Sequence, residues 1–274
     1  MKAYASGMDS LFSKLHRELR REAALVARHA SPPAVHRTRV AARRLRSLAA
    51  ALPGLRDPRA RDRCIRDLRA LSHELAAVRE VDVLREGLLA ALPQLSAVTP
   101  SARRHLAVLL EQERAAARRL LHRHTQSLVW SERLERLDQS VHDLKGQLAR
   151  TSDSRGLARV MLLESAQALA LARRQVDGRA SSLHRVRVQA KAYRYVIEIL
   201  ARQLELDSER LAAPARATQQ AIGRYLDARN ARKWTVRHGD VLAEPLRSGL
   251  RKLLAGEEKR ALKEARRALR KLAH

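Results

Sequence analysis

The sequence predicts an all-α fold, and three observations support that prediction. Ala, Leu and Arg dominate the 274 residues, whereas the β-branched and aromatic residues that favour strands are few. Apolar residues recur with helical spacing along most of the chain. The segment 35–52 also returns as 183–200, and an internal repeat indicates two related units. We therefore expect two helical halves, over 1–150 and 151–274, with four-helix packing in each.

The spacing of apolar residues and the positions of helix-breaking residues predict the order of the helices. In the first half we expect helices over about 8–30, 34–52, 59–91, 101–127 and 131–149. In the second half we expect them over about 157–177, 183–200, 208–232 and 240–254, with a break near Gly256 before a last helical stretch. Prolines such as those of Ser31-Pro32-Pro33 end helices, because proline donates no backbone hydrogen bond. The polar string 150–156 is the predicted junction between the halves.

The two copies of the repeat, which we call the signature helices, share a cationic face. At about 100° per residue, positions i, i+3, i+7 and i+10 fall within roughly 80° of arc. The first copy places there His36, Arg39, Arg43 and Arg46, and the second places His184, Arg187, Lys191 and Arg194. Arg37 and Arg185 flank these stripes. Each signature helix therefore has an apolar core face and a basic face headed by a histidine.

Charge and cysteine content indicate the binding partner and the cellular compartment of the protein. The formal net charge is +27, and self-repulsion of that size favours a polyanionic partner. Cys64 is the only cysteine, which suits a reducing compartment. No signal peptide or apolar stretch of membrane-spanning length is apparent. We expect a cytoplasmic protein that has no membrane association.

The motifs resemble those of a known family, the CHAD (conserved histidine α-helical) domains. Both signature helices carry the pattern His-x-x-Arg-Val-x-x-[Arg/Lys]-x-x-Arg, and the strings Arg79-Glu80-Val81-Asp82-Val83-Leu84 and Gly223-Arg224-Tyr225-Leu226-Asp227 add to the likeness. The resemblance spans nearly the whole chain. It implies two pseudo-symmetric four-helix bundles around a basic groove or pore that receives inorganic polyphosphate.

The basic faces suit such a polymer, because a guanidinium donates bidentate, charge-assisted hydrogen bonds to phosphate oxygens. Arginine crowding is expected to keep the two histidines neutral until a polyanion raises their pKa. Glu198 is expected to orient Arg194 from one turn away. The predicted polyphosphate-binding residues are His36, Arg37, Arg39, Arg43, Arg46, His184, Arg185, Arg187, Lys191, Arg194 and Tyr195.

Two further sets of basic residues are candidates for the same ligand. One comprises Arg114, Arg118 and His122, and the other comprises Lys259, Lys263, Arg266 and Arg270. Each set lies on one side of a predicted helix. The competing interpretation for both is a solvated helix face.

Rival functions remain open at this stage. No phosphate-binding loop, His-Glu-x-x-His or Cys-x-x-Cys motif is present, so we expect no catalysis, no cofactor and no metal. Nucleic-acid binding is the main alternative, since any basic helical protein contacts phosphates, although few aromatic rings are available for stacking. A third hypothesis is a scaffold on polyphosphate granules that recruits granule-associated proteins.

Overall fold

The computed structural model describes residues 6–53, 55–149 and 153–272, and these residues are helical with no strand. The all-α prediction is therefore confirmed. Ten α-helices and two 3₁₀ turns, Leu92–Gln94 and Gly239–Val241, make up this part of the chain. The helices are α1 (Ser6–His29), α2 (Pro32–Ala50), α3 (Arg59–Glu74), α4 (Ala76–Ala91), α5 (Pro100–Thr125), α6 (Leu128–Leu148), α7 (Ser154–Arg174), α8 (Ala180–Leu204), α9 (Ser208–Arg237) and α10 (Glu244–Lys271).

Side-chain caps begin several of these helices. The Thr99 hydroxyl accepts a hydrogen bond from the Ala102 amide at 3.2 Å, and proline occupies the first turn of α5. The Asp207 carboxylate accepts one from the Arg210 amide at 3.1 Å and begins α9. Such caps satisfy amides that have no partner inside the helix. They lie where the sequence predicts helix starts.

Three apolar clusters hold the helices together. The largest joins α1, α2, α3 and α6 with the beginning of α7 and the C-terminal half of α8. A second joins α7, α8, α9 and α10, and a third packs α4 and α5 against the end of α9 and the beginning of α10. The third cluster therefore unites helices from both sides of the predicted junction. The pseudo-two-fold relation between halves stays a prediction.

The two signature helices are α2 and α8, and they pack directly against each other. Helix α4 contacts both α2 and α9, while α9 packs along α8. Buried Leu45 and Leu48 of α2 and Val196 and Leu200 of α8 share the largest core cluster. The opposite, basic faces of the two helices are thereby held close to α4 and α9.

Two predicted helix boundaries are wrong. The helix expected over 59–91 is two helices, which meet in a turn at Leu75 without any proline or glycine. The break expected near Gly256 is absent, because α10 continues through it while packing along α9. Burial against a neighbouring helix outweighs the cost of one glycine in a helix, about 1 kcal/mol. Gly54 and residues 150–152, which include much of the predicted junction, lie outside the described residues.

Within the ranges that the structure describes, no helix has both the length and the apolar character needed to cross a membrane.

Candidate functional site

The basic faces of α2 and α8 meet in one site, which we call the signature cluster. Its members are His36, Arg39, Arg43, Arg46, His184, Arg187, Lys191 and Arg194. Burial is the main cause that lowers the pKa of His36 and of Arg39 on α2, and charges of α8 add to it, Lys191 for His36 and Arg187 for Arg39. Two segments separated by more than a hundred residues in the sequence therefore form a single cationic surface.

Arg39 of α2 is anchored to the backbone of α3. Its Nη1 donates a hydrogen bond to the backbone oxygen of Ser72, at the end of α3, at 2.6 Å. Burial, and then the adjacent charge of Arg43, lowers the pKa of Arg39 to about 10. The guanidinium still remains protonated at neutral pH. Arg46, at the far end of the stripe, has a lowered pKa from burial and from Arg43 and Arg69.

Arg187 on α8 lies against the backbone of α9 at Gly223. A Cβ atom at this buried glycine would approach the Arg187 Nε to 3.3 Å, closer than most Cβ contacts. Burial lowers the pKa of Arg187, and Arg43 of α2 lowers it further, whereas Asp227 opposes both effects. Glycine at 223 therefore lets the guanidinium approach α9 closely.

Lys191 of α8 has a strongly lowered pKa within the cluster. Burial lowers its pKa to about 6, and Arg43, Arg187 and Arg194 contribute to the shift. Asp227 acts in the opposite direction. Most Lys191 side chains are therefore neutral at pH 7 in the ligand-free protein.

The two histidines are exposed, but the surrounding protein displaces part of their water. This desolvation is the largest cause of the lowered pKa of both imidazoles. Arg79 and Arg43 are the next causes for His36, and Arg187 and Lys191 are the next for His184. Both rings are therefore predominantly neutral at pH 7, and a nearby anion would favour their protonation.

Arg194 is held by an ion pair, and its neighbour Tyr195 lies in the core. The Arg194 Nε lies 3.3 Å from the Glu198 Oε1, and Arg216 of α9 approaches the same oxygen at 3.6 Å. The Arg194 guanidinium sits 4.8 Å from the centre of the Tyr195 ring. Tyr195 itself is only 5% exposed. The structure thus places Tyr195 beneath the cluster and not on its surface.

The two flanking arginines lie in different surroundings. Arg37 donates from its Nε to the Glu22 carboxylate of α1 at 2.7 Å, and that carboxylate is buried. Arg37 thus joins α1 to α2 and is already neutralised. Arg185 is exposed and has no ion pair within the described part of the chain.

The two further basic sets lie apart from the signature cluster. Arg114 pairs with buried Asp82 of α4 at 2.8 Å. Arg118 and His122 line a separate concavity. The second set, Lys259, Lys263, Arg266 and Arg270, is exposed on the outer side of α10. None of these four is among the charges that shift the pKa values of the signature cluster.

Sequence reasoning missed two charged members of the site, Arg79 of α4 and Asp227 of α9. Arg79 is the leading charge that lowers the pKa of His36. Asp227 reaches solvent, yet protein surrounds it enough that desolvation raises its pKa, while Arg187, Lys191 and Arg79 pull it down. Both residues lie in the two short strings that accompany the signature motifs. These strings could have pointed to Arg79 and Asp227. Without the fold, however, nothing in the sequence showed that the two residues lie beside the signature helices.

The potential metal ligands and the cysteine of the described ranges are scattered or buried. No three His, Cys, Asp or Glu side chains there are grouped closely enough to hold a metal ion. Cys64 is buried, and burial, assisted by the charge of Asp67, raises the pKa of its thiol to about 12. A thiol with that pKa is a poor nucleophile at neutral pH. His142 is exposed, and its neighbour Asp143 is paired with Arg63 at 3.1 Å.

Comparison with known proteins agrees with this architecture. The family model of the CHAD domain matches residues 10–236. The crystal structure of the CHAD domain from the plant Ricinus communis has a TM-score of 0.72 at 22% identity, covering 98% of this chain and 92% of that chain. PptA from Streptomyces chartreusis has a TM-score of 0.73 at 18% identity, covering 98% of both chains. No curated protein matches the sequence.

At such low identity the two solved structures show the fold alone, whereas the family model matches both signature helices and most of the chain. The chain belongs to the CHAD domain family.

Proposed function

We propose that this protein binds inorganic polyphosphate at the signature cluster, without chemically altering it. The observation that carries the proposal is the surroundings of Lys191. Burial lowers its pKa to about 6, and arginines from both signature helices, Arg43 and Arg187 among them, add to that shift. Concentrating like charges in this way opposes folding. An anion that bridges α2 and α8 would turn this repulsion into attraction.

The shape of the cluster suits a linear anion. The stripe from His36 to Arg46 on α2 extends for about 15 Å at 1.5 Å per residue, and α8 supplies a second stripe alongside it. Guanidinium groups recognise phosphate oxygens irrespective of what else the ligand carries. A row of such donors contacts phosphate groups and makes no contact with a base or a sugar. It therefore favours a polymer made of phosphate alone.

The distribution of aromatic side chains favours polyphosphate over single-stranded nucleic acid. Binding of single strands relies on exposed rings that stack on the bases. Among the described residues, Tyr193 is half-buried, and the other rings, which belong to Phe12, Trp130, Tyr195, Tyr225 and Trp234, are buried. The site therefore offers phosphate contacts without stacking platforms. Nucleic-acid binding remains the alternative that the first experiment tests.

Binding without turnover is consistent with the charge of the site. Its groups are cations and imidazoles, with Glu198 paired to Arg194 and Asp227 nearby as carboxylates, and desolvation raises the pKa of Asp227. Such a site holds a polyanion by electrostatic attraction. We further propose that the protein resides on polyphosphate granules in the cytoplasm, where it can meet granule-associated proteins. Unchanged polymer length on a gel after long incubation is the expected result for a binder.

Competition binding tests the ligand class. Fluorescent long-chain polyphosphate is bound at near-physiological salt and challenged with unlabelled polyphosphate, single-stranded DNA, RNA or duplex DNA at equal phosphate concentration. We expect polyphosphate to displace the label at least tenfold more effectively than any nucleic acid. Equal displacement by nucleic acid would make this a general polyanion binder.

Site-directed variants test the location. Arg43→Gln with Arg187→Gln is expected to weaken binding roughly 100-fold, because each charge-assisted hydrogen bond contributes about 1.5–3 kcal/mol. The dependence of log affinity on log salt concentration should lose about two units of slope. The matched control is Arg159→Gln with Arg174→Gln, which removes the same charge from exposed positions on α7. A similar loss in both variants would refute the assignment of the site.

A further inference from the structure

A second basic cluster lies where the ends of α1 and α5 meet. It surrounds a concavity of about 420 Å³, and its lining residues are His29, Ala30, Arg118, Arg119, His122 and Arg123. The two helix ends are tied together, since the Gln126 Nε2 donates a hydrogen bond to the Ala27 carbonyl at 3.0 Å. Ala30, with φ of +43°, turns the chain from α1 into α2 beside this concavity. Every ionisable group that lines it is basic.

None of these basic groups is paired with an acidic side chain in the described part of the chain. No carboxylate lies within ion-pair distance of any of them among the described residues, whereas Arg114, one turn earlier on α5, contacts both Asp82 and Glu111. The Nε of Arg118 is buried and has no hydrogen-bond partner in the described structure. Positive charge at this surface is therefore not neutralised from within.

Stabilisation of helix ends explains only some of the basic residues in the second cluster. Cations in the last turn of a helix stabilise its negative C-terminal end, which applies to His29 on α1 and to His122 and Arg123 on α5. Arg118 and Arg119 lie more than one turn before the end of α5 at Thr125. The dipole effect fades within one turn, so it does not explain these two arginines.

Helix register joins this second cluster to the signature cluster. Helices α4 and α5 are joined by the short segment 92–99 and pack against each other, so they run antiparallel, and the Arg114–Asp82 pair marks one level of that packing. One turn further along α5, Arg118 is level with Arg79 and the residue before it on α4. Arg79 in turn is the charge that acts most strongly on His36. Arg79 thus lies between the His36 end of the signature cluster and the level of Arg118, and its guanidinium is 3.8 Å from the largely exposed Glu86 carboxylate.

We infer that the second basic cluster binds the continuation of the same polyphosphate chain where it leaves the signature cluster at His36. The inference rests on the proposed function and extends it. It makes the protein sensitive to chain length, since a short chain fills the signature cluster alone and a long one reaches both clusters. The second cluster thus favours long polymers.

The test compares tripolyphosphate with long-chain polyphosphate on the full chain, by calorimetric titration. Arg119→Gln with Arg123→Gln removes two exposed charges from the second cluster. We expect roughly tenfold weaker binding of the long chain, with tripolyphosphate affinity unchanged within twofold. The matched control is again Arg159→Gln with Arg174→Gln, which should change neither affinity. A thermal melt of each variant shows whether α5 remains folded.

A second variant, His29→Gln with His122→Gln, keeps the test decisive if the arginine variant melts early. Unchanged long-chain affinity in a folded variant would overturn the inference and leave the proposed function intact. An equal loss for tripolyphosphate and the long chain would also overturn it, since that result indicates a general charge effect. Absence of polyphosphate binding by the wild-type protein would overturn the proposed function as well.

Discussion

Two groups of half-buried arginines in this protein differ in how their charge is balanced. On α6, Arg133 lies between Glu74 at 2.8 Å and Asp67 at 3.4 Å of α3, and all three side chains are at most 15% exposed. In the signature cluster, neither Arg43 nor Arg187 has a carboxylate within ion-pair distance among the described residues. Burial lowers the pKa of Arg187, Asp227 opposes that shift, and the charge of Arg43 adds to it. Arg136 also approaches Asp67, at 3.6 Å, so the first arrangement, with two arginines and two carboxylates, is internally neutral. The second has an excess of positive charge.

The difference separates arginines that hold the fold together from those that are available to a ligand. A buried pair stabilises the fold only while both partners remain, because removing one leaves an unpaired charge. An unbalanced cluster costs stability, and a bound anion recovers that cost. Composition alone does not distinguish the two cases, since the same residue type occurs in both.

The largest expected effect is an opposite response of the two groups to mutation. Arg133→Gln should lower the melting temperature by roughly 5 °C, which corresponds to about 2 kcal/mol for a protein of this size, and leave polyphosphate affinity within twofold of wild type. Arg43→Gln with Arg187→Gln should lose affinity and keep or raise the melting temperature, because repulsion is relieved. Scanning calorimetry and a binding titration on both variants provide the comparison. If the signature-cluster variant lost stability and kept its affinity, the arginines of that cluster would have a structural role and the assignment of the ligand site would be wrong.

A smaller effect concerns pH. With a pKa of about 6 in the free protein, Lys191 is mostly neutral at pH 8, and a bound polyanion raises that pKa, so binding takes up a proton. Affinity should therefore increase as pH falls from 8 to 6.5, by roughly tenfold, and the two histidines act in the same direction. Calorimetry in buffers of different ionisation enthalpy measures the uptake. Lys191→Met should show a shallower pH dependence, and a dependence identical to wild type would exclude Lys191 as a source.

The smallest expected effect tests how Arg187 is positioned. Gly223→Ala places a methyl group 3.3 Å from the Arg187 Nε, which shifts the guanidinium away from α9 without removing any charge. We expect affinity to fall about two- to fivefold, with an unchanged salt dependence, because the number of released counterions stays the same. Gly146→Ala, where a Cβ has no neighbour within 4 Å, is the control. Equal behaviour of the two alanine variants would contradict the role of Gly223.

Most of the helices follow from local sequence. The two wrong predictions of helix boundaries have a common cause, which is packing between helices. Ser31 and the prolines after it end one helix and begin the next, as local chemistry requires. The turn at Leu75 has no such signal. It arises where α3 packs against α6 while α4 turns to pack against α5 and α9. Conversely, Gly256 does not interrupt α10, because that helix packs along α9.

The sequence by itself determined the fold class, the family and the two basic stripes, because helical periodicity and a repeated motif are properties of short segments. Only the tertiary structure decided which charges act together. It brought Arg79 and Asp227 to the signature cluster, paired Arg37 with Glu22, and buried Tyr195 in the core. Electrostatic interactions depend on distance and on access to water, and neither quantity is fixed until distant helices have packed.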